Sequence, residues 1–173
     1  MIRIVTLVAM MVTSLLCNEL EAQTLEKGSH NYGAGLTGGI VVGDFEDAYS
    51  SDIGVEVVYL YGLTDRISIG ASTGFTNYFG DDITIGGITV GVDDAQFIPL
   101  TGSFRFSPLP KFFVGGDIGY AIGINDGNEG GFYASPRANY LITDKFIVNA
   151  GYRLIDLDGE SLGAIQFGVG YKF

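Results

Sequence analysis

SLGAIQFGVGYKF, residues 161–173, alternates with a period of two over its last ten positions. Ile165, Phe167, Val169, Tyr171 and Phe173 share one side, and Ala164, Gln166, Gly168, Gly170 and Lys172 share the other. A strict period of two is a β-strand whose two faces meet different surroundings. Here a bulky apolar face is opposed by glycine, amide and ammonium, the reverse of what a close-packed aqueous core needs on its inside. The stretch therefore predicts a strand that turns its apolar face to lipid.

The same phase test, carried back along the chain, finds seven more strands. Tyr32, Ala34, Leu36, Ile40 and Val42 oppose Gly33, Gly35, Thr37 and Gly39; Ile53, Val55, Val57, Tyr59 and Tyr61 oppose Gly54, Glu56 and Gly62, with Val58 and Leu60 out of phase. Ile67, Ile69, Ala71 and Phe75 oppose Ser68, Gly70, Ser72 and Gly74, and Ile98, Leu100, Phe104 and Phe106 oppose Thr101, Ser103 and Arg105. Phe112, Val114, Ile118, Tyr120 and Ile122 oppose Gly115, Asp117, Gly119 and Gly123. Phe132, Ala134, Ala138 and Tyr140 oppose Ser135, Arg137 and Asn139, and Phe146, Val148, Ala150, Tyr152 and Leu154 oppose Asn149, Gly151 and Arg153. Eight strands in one consistent phase predict an all-β fold, an eight-stranded antiparallel up-and-down transmembrane β-barrel. Composition agrees: 173 residues carry 27 glycines, 22 Phe plus Tyr and only 4 prolines. After the N-terminal segment no run approaches the roughly eighteen apolar residues of a spanning helix, and only a closed barrel can otherwise cross a bilayer.

Residues 1–22 read as a signal peptide: Arg3 precedes a short apolar run, and small residues favour cleavage near Ala22 or Gln23. Cys17 follows Leu16, where a lipid-attachment motif needs a small residue, so the cysteine goes with the signal. Residues 23–30 are expected to be a short periplasmic N-terminal segment and residues 31–173 the barrel. Short turns are expected at 63–66, 107–111 and 142–145, and longer polar loops at 43–52, 79–92, 125–130 and 156–161; Pro99 and Pro136 predict local bulges.

The phased strands, the alternation of short and long connections and the Phe173 ending resemble the small eight-stranded outer-membrane β-barrels of Gram-negative bacteria. That family includes the transmembrane domain of outer membrane protein A and compact adhesin-like, porin-like relatives. The turn pairs Thr64-Asp65 and Thr143-Asp144 resemble those of small barrels from Bacteroidota. The resemblance implies an integral protein of the cell outer membrane. Phe167, Val169, Tyr171 and Phe173 would then form the signal read by the barrel assembly machinery, with outer-membrane lipids and lipopolysaccharide as surroundings. The chain departs from the family in lacking Trp, so Tyr and Phe must build the interfacial belts.

Three features bear on function. Glu56, Asp117, Arg137, Arg153 and Gln166 fall at similar depth on the inward phase, and an eight-stranded barrel is barely wide enough for its own side chains. They predict an ionic cluster that plugs the lumen, or a gate that opens by re-pairing. Second, thirteen acids fall in or beside the four long loops (Asp44, Glu46, Asp47, Asp52, Asp81, Asp82, Asp93, Asp94, Asp126, Glu129, Asp156, Asp158 and Glu160) with no Lys or Arg among them. Such a rim excludes nucleic acid as a partner and favours cations or basic protein patches. The loops lack the spacing of a calcium-binding loop, so no metal site is expected. Third, residues 82–93 alternate about Gly86-Gly87, a hairpin turn. Ile83 and Ile85 keep the phase of the strand before, and Ile88 and Val90 that of the strand after. The two strands are expected to continue outward as one ribbon, able to take a surface protein ligand by edge pairing or by its apolar face.

The single histidine, His30, sits at the end opposite the long loops, so no base can be placed beside a nucleophile there, and no enzyme activity or cofactor is expected. A soluble eight-stranded ligand carrier is the architectural alternative; it would put Arg105, Asp117, Arg137 and Arg153 outside. The reading that results is a non-enzymatic surface, structural or adhesin-like protein with an occluded lumen, the alternative being a narrow, gated, cation-preferring pore for small solutes.

Overall fold

A computed structural model describes residues 26–85 and 88–173. It contains ten strands: β1 (His30–Gly43), β2 (Tyr49–Gly62), β3 (Ile67–Gly80), β4 (Asp82–Ile85), β5 (Ile88–Gly91), β6 (Ala95–Leu109), β7 (Phe112–Gly123), β8 (Gly131–Leu141), β9 (Phe146–Leu157) and β10 (Glu160–Lys172). Eight close into a barrel in the order β1-β10-β9-β8-β7-β6-β3-β2 with antiparallel neighbours, while β4 and β5 form a separate antiparallel two-stranded sheet. The expected signal peptide lies outside the described residues. Beside β1, Gly28 donates its N–H to Gly62 O.

The stretch 161–173 is most of the closing strand. β10 pairs with β9 on one side (Phe167 opposite Ala150) and with β1 on the other (Phe167 opposite Gly38), so neither terminal strand leaves a free edge. Ile165, Phe167, Val169 and Phe173 are exposed on the outer wall, and Gln166 is fully buried inside. Arg105, Asp117, Arg137 and Arg153 are buried within the barrel, which rules out the soluble-carrier arrangement.

Four local expectations are corrected. The connection expected at 156–161 is a two-residue turn: Leu157 pairs with Glu160, and Asp158 and Gly159 both take positive φ (55° and 98°), the conformation that a tight hairpin needs and Asp-Gly supplies. The loop expected at 43–52 is shorter, because β2 already begins at Tyr49. The prolines cause no bulge. β6 keeps register with β7 through Pro99, as β8 does with β7 through Pro136, and pairings are missing only toward β3 and β9, the sides that lack a donor. Register shifts fall instead between Tyr49 and Ser51 and between Phe106 and Leu109. Lastly, β3 and β6 do not run on unbroken into the hairpin: barrel pairing ends at Tyr78 opposite Ala95 and resumes at Asp82 opposite Gly91, four residues on along each strand. The register is therefore kept across a gap in the ladder. Asp94 sits at the break, accepting from Asn77 Nδ2 (2.9 Å) and from Gly80 N–H (3.0 Å). Gly86, Gly87 and the side chains of residues 83–88 lie outside the described residues.

Inside, the barrel has two storeys. The middle and the short-turn end are polar. At the long-loop end Val41, Tyr78, Phe97, Tyr133, Ile155 and Leu162 form a buried apolar cluster, with Phe45 of the first long connection and Tyr49 at the start of β2 packed on it. Tyr78 meets Phe97 edge-on, with ring centroids 5.8 Å apart at 87°. The residues of this cluster lie on the inward phase near strand ends, where they were masked in the sequence by longer apolar runs on the lipid side.

Candidate functional site

The centre of the lumen is built by four charged side chains from four strands. Arg137 on β8 reaches across to Glu56 on β2, its Nη1 lying 2.7 and 2.8 Å from the two carboxylate oxygens. Its Nη2 reaches Asp117 of the neighbouring strand β7 at 2.7 Å. Asp117 also takes Arg105 Nη2 of β6 at 3.0 Å and the Ser103 hydroxyl at 2.6 Å. Arg105 spends Nη1 on the carbonyls of Phe104 and Gly116, both at 2.9 Å. The result is a continuous chain Arg105, Asp117, Arg137, Glu56, in which Asp117 is 1% exposed and Glu56, by side chain, 23%. Burial of charge is tolerable here because each ion has an opposite partner, and Asp117 and Arg105 have further hydrogen bonds.

Glycine makes room for the long side chains. Glu56 is flanked in register by Gly35 on β1 and Gly74 on β3, and Arg137 by Gly115 on β7 and Gly151 on β9. A Cβ at Gly35 would sit 3.3 Å from Glu56 Oε1, and one at Gly151 would sit 2.8 Å from Arg137 Cβ. The alternation of glycine with charge on the inward phase thus has a packing cause: neighbouring strands take turns to fill one narrow cross-section.

Arg153 does not join this cluster as expected. It lies nearer the long-loop end, where Nη1 meets Asp52 Oδ1 at 2.7 Å and Nη2 donates to Thr37 Oγ1 at 3.0 Å. Asp52 is accordingly no rim residue: it is 4% exposed, inside the barrel. Its phase was inward in the sequence, but its place at the end of an apparent loop hid it. Gln166 is fully buried and donates to Ser135 Oγ at 2.8 Å, apart from the ions. Arg105, inward on its strand but missing from the expected cluster, is the other participant that sequence reasoning passed over. The lumen charges balance, with Asp52, Glu56 and Asp117 against Arg105, Arg137 and Arg153.

Toward the short turns lie two small cavities. One, of about 70 Å³, is lined by Glu56, Arg105, Arg137, Asn139 and Asn149 among others; a second, of about 60 Å³, reaches Asn31, Ser107 and Lys172 at the mouth. The first has room for about two waters. Arg137 Nε and Asn149 Oδ1 are buried without a protein partner.

Of the remaining expected sites, the terminal aromatics form a belt at the short-turn end: Tyr171 lies 5.3 Å from Phe146 and 5.3 Å from Phe173, and Lys145 Nζ sits 5.8 Å from the Tyr171 centroid. His30 is at that same end, bonded through Nδ1 to the Tyr59 hydroxyl at 2.9 Å. In the hairpin β4 pairs with β5 from Asp82 opposite Gly91 to Ile85 opposite Ile88, and Val90 is exposed. Among the described residues no group of three or more His, Cys, Asp or Glu is placed to hold a metal ion.

Known proteins match this architecture. The attachment invasion locus protein Ail of Yersinia pestis superposes with a TM-score of 0.58 at 18% identity, covering 85% of this chain and 99% of its own. The outer membrane protein OprG of Pseudomonas aeruginosa gives 0.56 at 13% identity, with 87% and 98% covered. The N-terminal barrel of OprF from the same organism gives 0.52 at 15% identity, with 85% and 98% covered. At such identities these likenesses speak for the fold alone. No curated protein matches the sequence. The model of the outer membrane protein beta-barrel domain, however, matches residues 8–173. The chain belongs to that family and is an integral β-barrel of the outer membrane.

Proposed function

We propose that this barrel is a non-enzymatic surface protein with an occluded lumen, acting through what its long-loop end presents. The observation that carries the reading is the Arg137 to Glu56 contact spanning the barrel, backed by the Tyr78 and Phe97 cluster beyond it. On the short-turn side of that contact two lumen cavities measure about 60 and 70 Å³. A hydrated ion needs a continuous path, and the Arg137 to Glu56 contact stands across it.

What faces outward is the β4–β5 hairpin and a rim of twelve acids, the thirteen less Asp52, without a base. The hairpin keeps barrel register and forms a two-stranded sheet of its own, a ribbon of the kind that takes a strand from a surface protein ligand by β-augmentation. The rim sets the sign of the partner. Ail has been crystallised with the heparin analogue sucrose octasulfate; the rim here would repel such a polyanion and suits a basic protein patch. Deleting residues 82–93 tests this: a deletion barrel that still shows heat-modifiable gel migration should lose adhesion to its target surface, and full adhesion would refute the binding role.

The second reading, a narrow gated cation-preferring pore, draws support from the cavity beside Glu56, where the carboxylate is partly open to water. It requires Glu56→Ala alone to change conductance in a planar bilayer.

A further inference from the structure

All the surface cations among the described residues lie at one end. Lys27, Arg66, Lys111, Lys145 and Lys172 all belong to the short-turn rim; the other three bases, Arg105, Arg137 and Arg153, are buried in the lumen. Glu26, Asp65 and Asp144 are the acidic side chains of that rim. The backbone spaces the five around the mouth. Lys27 N–H binds Asp65 Oδ1 beside Arg66; Ser107 N–H binds Arg66 O, Leu141 N–H binds Lys111 O, and Lys172 N–H binds Lys145 O, while Phe173 N–H returns to Tyr32 O on β1. Each turn is thereby fastened to the next, and a base stands at nearly every junction.

None of the five side chains is within ion-pair distance of a carboxylate among the described residues. Just beside them runs the aromatic belt, with Tyr32 and Tyr59 at 5.2 Å and the Phe146, Tyr171 and Phe173 group, over which Lys145 lies. Tyr and Phe rings of this kind mark the depth of the lipid head groups, and flexible lysine stems carry the ammonium into the phosphate layer. Short turns of outer-membrane barrels face the periplasm. We propose that this rim is a binding collar for the phosphates of anionic phospholipids in the periplasmic leaflet. The barrel then gains its electrostatic hold on the membrane from that leaflet, since the outer rim offers lipid phosphates no cation at all.

The test uses the mature chain refolded into vesicles of phosphatidylcholine, with spin-labelled phosphatidylglycerol or phosphatidylcholine as probe, and reads the relative association of the two at the protein surface. Phosphatidylglycerol should be preferred several-fold at low salt, about fivefold per engaged base being the upper expectation. The preference should fall toward one as salt shortens the screening length below about 10 Å. Combined Arg66→Gln, Lys111→Gln, Lys145→Gln and Lys172→Gln should abolish it, and Lys111→Gln or Lys145→Gln alone should lower it in barrels that still migrate as folded. Neutralising outer acids, Asp44→Asn with Asp126→Asn, should leave the selectivity in place. A wild-type ratio of one, a ratio insensitive to salt, or one that the fourfold variant retains would overturn the collar.

Discussion

Arg137 on β8 and Glu56 on β2 stand on diametrically opposite strands of the barrel and are joined through one guanidinium nitrogen at 2.7 and 2.8 Å. Arg137 also holds Asp117, which holds Arg105, so an ionic chain ties four of the eight barrel strands together across the interior.

The members of that chain differ in what their loss leaves behind. Asp117→Ala removes the only carboxylate that Arg105 meets and leaves Arg137 with Glu56 alone, and should cost about 3–5 kcal/mol in urea unfolding from lipid vesicles. Glu56→Ala leaves Arg137 its bond to Asp117 and a neighbouring cavity, and should cost about 1–2 kcal/mol. Equal costs, or the reverse order, would contradict the assignment of Asp117 as the bridge.

Gly39 faces Asp52 in register, and a Cβ there would come within 2.5 Å of Asp52 Oδ2 and 2.9 Å of Ile165 O. Gly39→Ala should therefore displace Asp52 from Arg153 and destabilise the barrel by about 1–3 kcal/mol. Gly38→Ala on the lipid face, whose nearest contact is Asp52 O at 3.6 Å, should be far milder. Unfolding of the two variants side by side checks the difference.

The apolar cluster makes the ionic chain only one of two barriers. Glu56→Ala alone should leave a planar bilayer silent, and so should Phe97→Ala alone, whereas the two together should give measurable openings. Phe97→Ala should also lower stability by about 3–5 kcal/mol, as for other buried aromatic truncations. Full conductance from Glu56→Ala by itself would place the barrier wholly in the ions.

Asp94 is exposed, yet its carboxylate is held below the usual carboxylate range by the Asn77 amide and the Gly80 N–H that it accepts. A carboxylate with a lowered folded pKa contributes stability that is present above its ordinary value of 3.8 and is lost as pH falls through the lowered folded value. The Gly80 amide resonance should titrate with a midpoint below 3.8, and Asp94→Asn should remove the transition. A midpoint at or above that value would show that the base of the hairpin is not clamped this way.

The lipid-facing wall was readable from the sequence because one physical rule, a period of two against a uniform solvent, acts on every strand alike. The interior was less readable, since its contacts depend on register between strands far apart in the chain. Inward phase alone put Arg153 near Glu56, but its guanidinium meets Asp52 across the lumen, and Asp52 looked like a loop residue. Arg105 was inward by phase, and only its closeness to Asp117 gives it a role. The apolar outer storey was missed because Val41, Tyr78 and Ile155 stand beside longer apolar runs. The tight Asp158-Gly159 turn was masked by its acidic neighbours, which read as loop but continue two strands.

Conductance of the refolded mature chain in a planar bilayer, with heat-modifiable migration confirming the closed barrel, tests the central claim most directly. An occluded lumen predicts a folded barrel that shows no discrete openings at either polarity. Discrete cation-selective openings from the unaltered chain would contradict it and establish a pore.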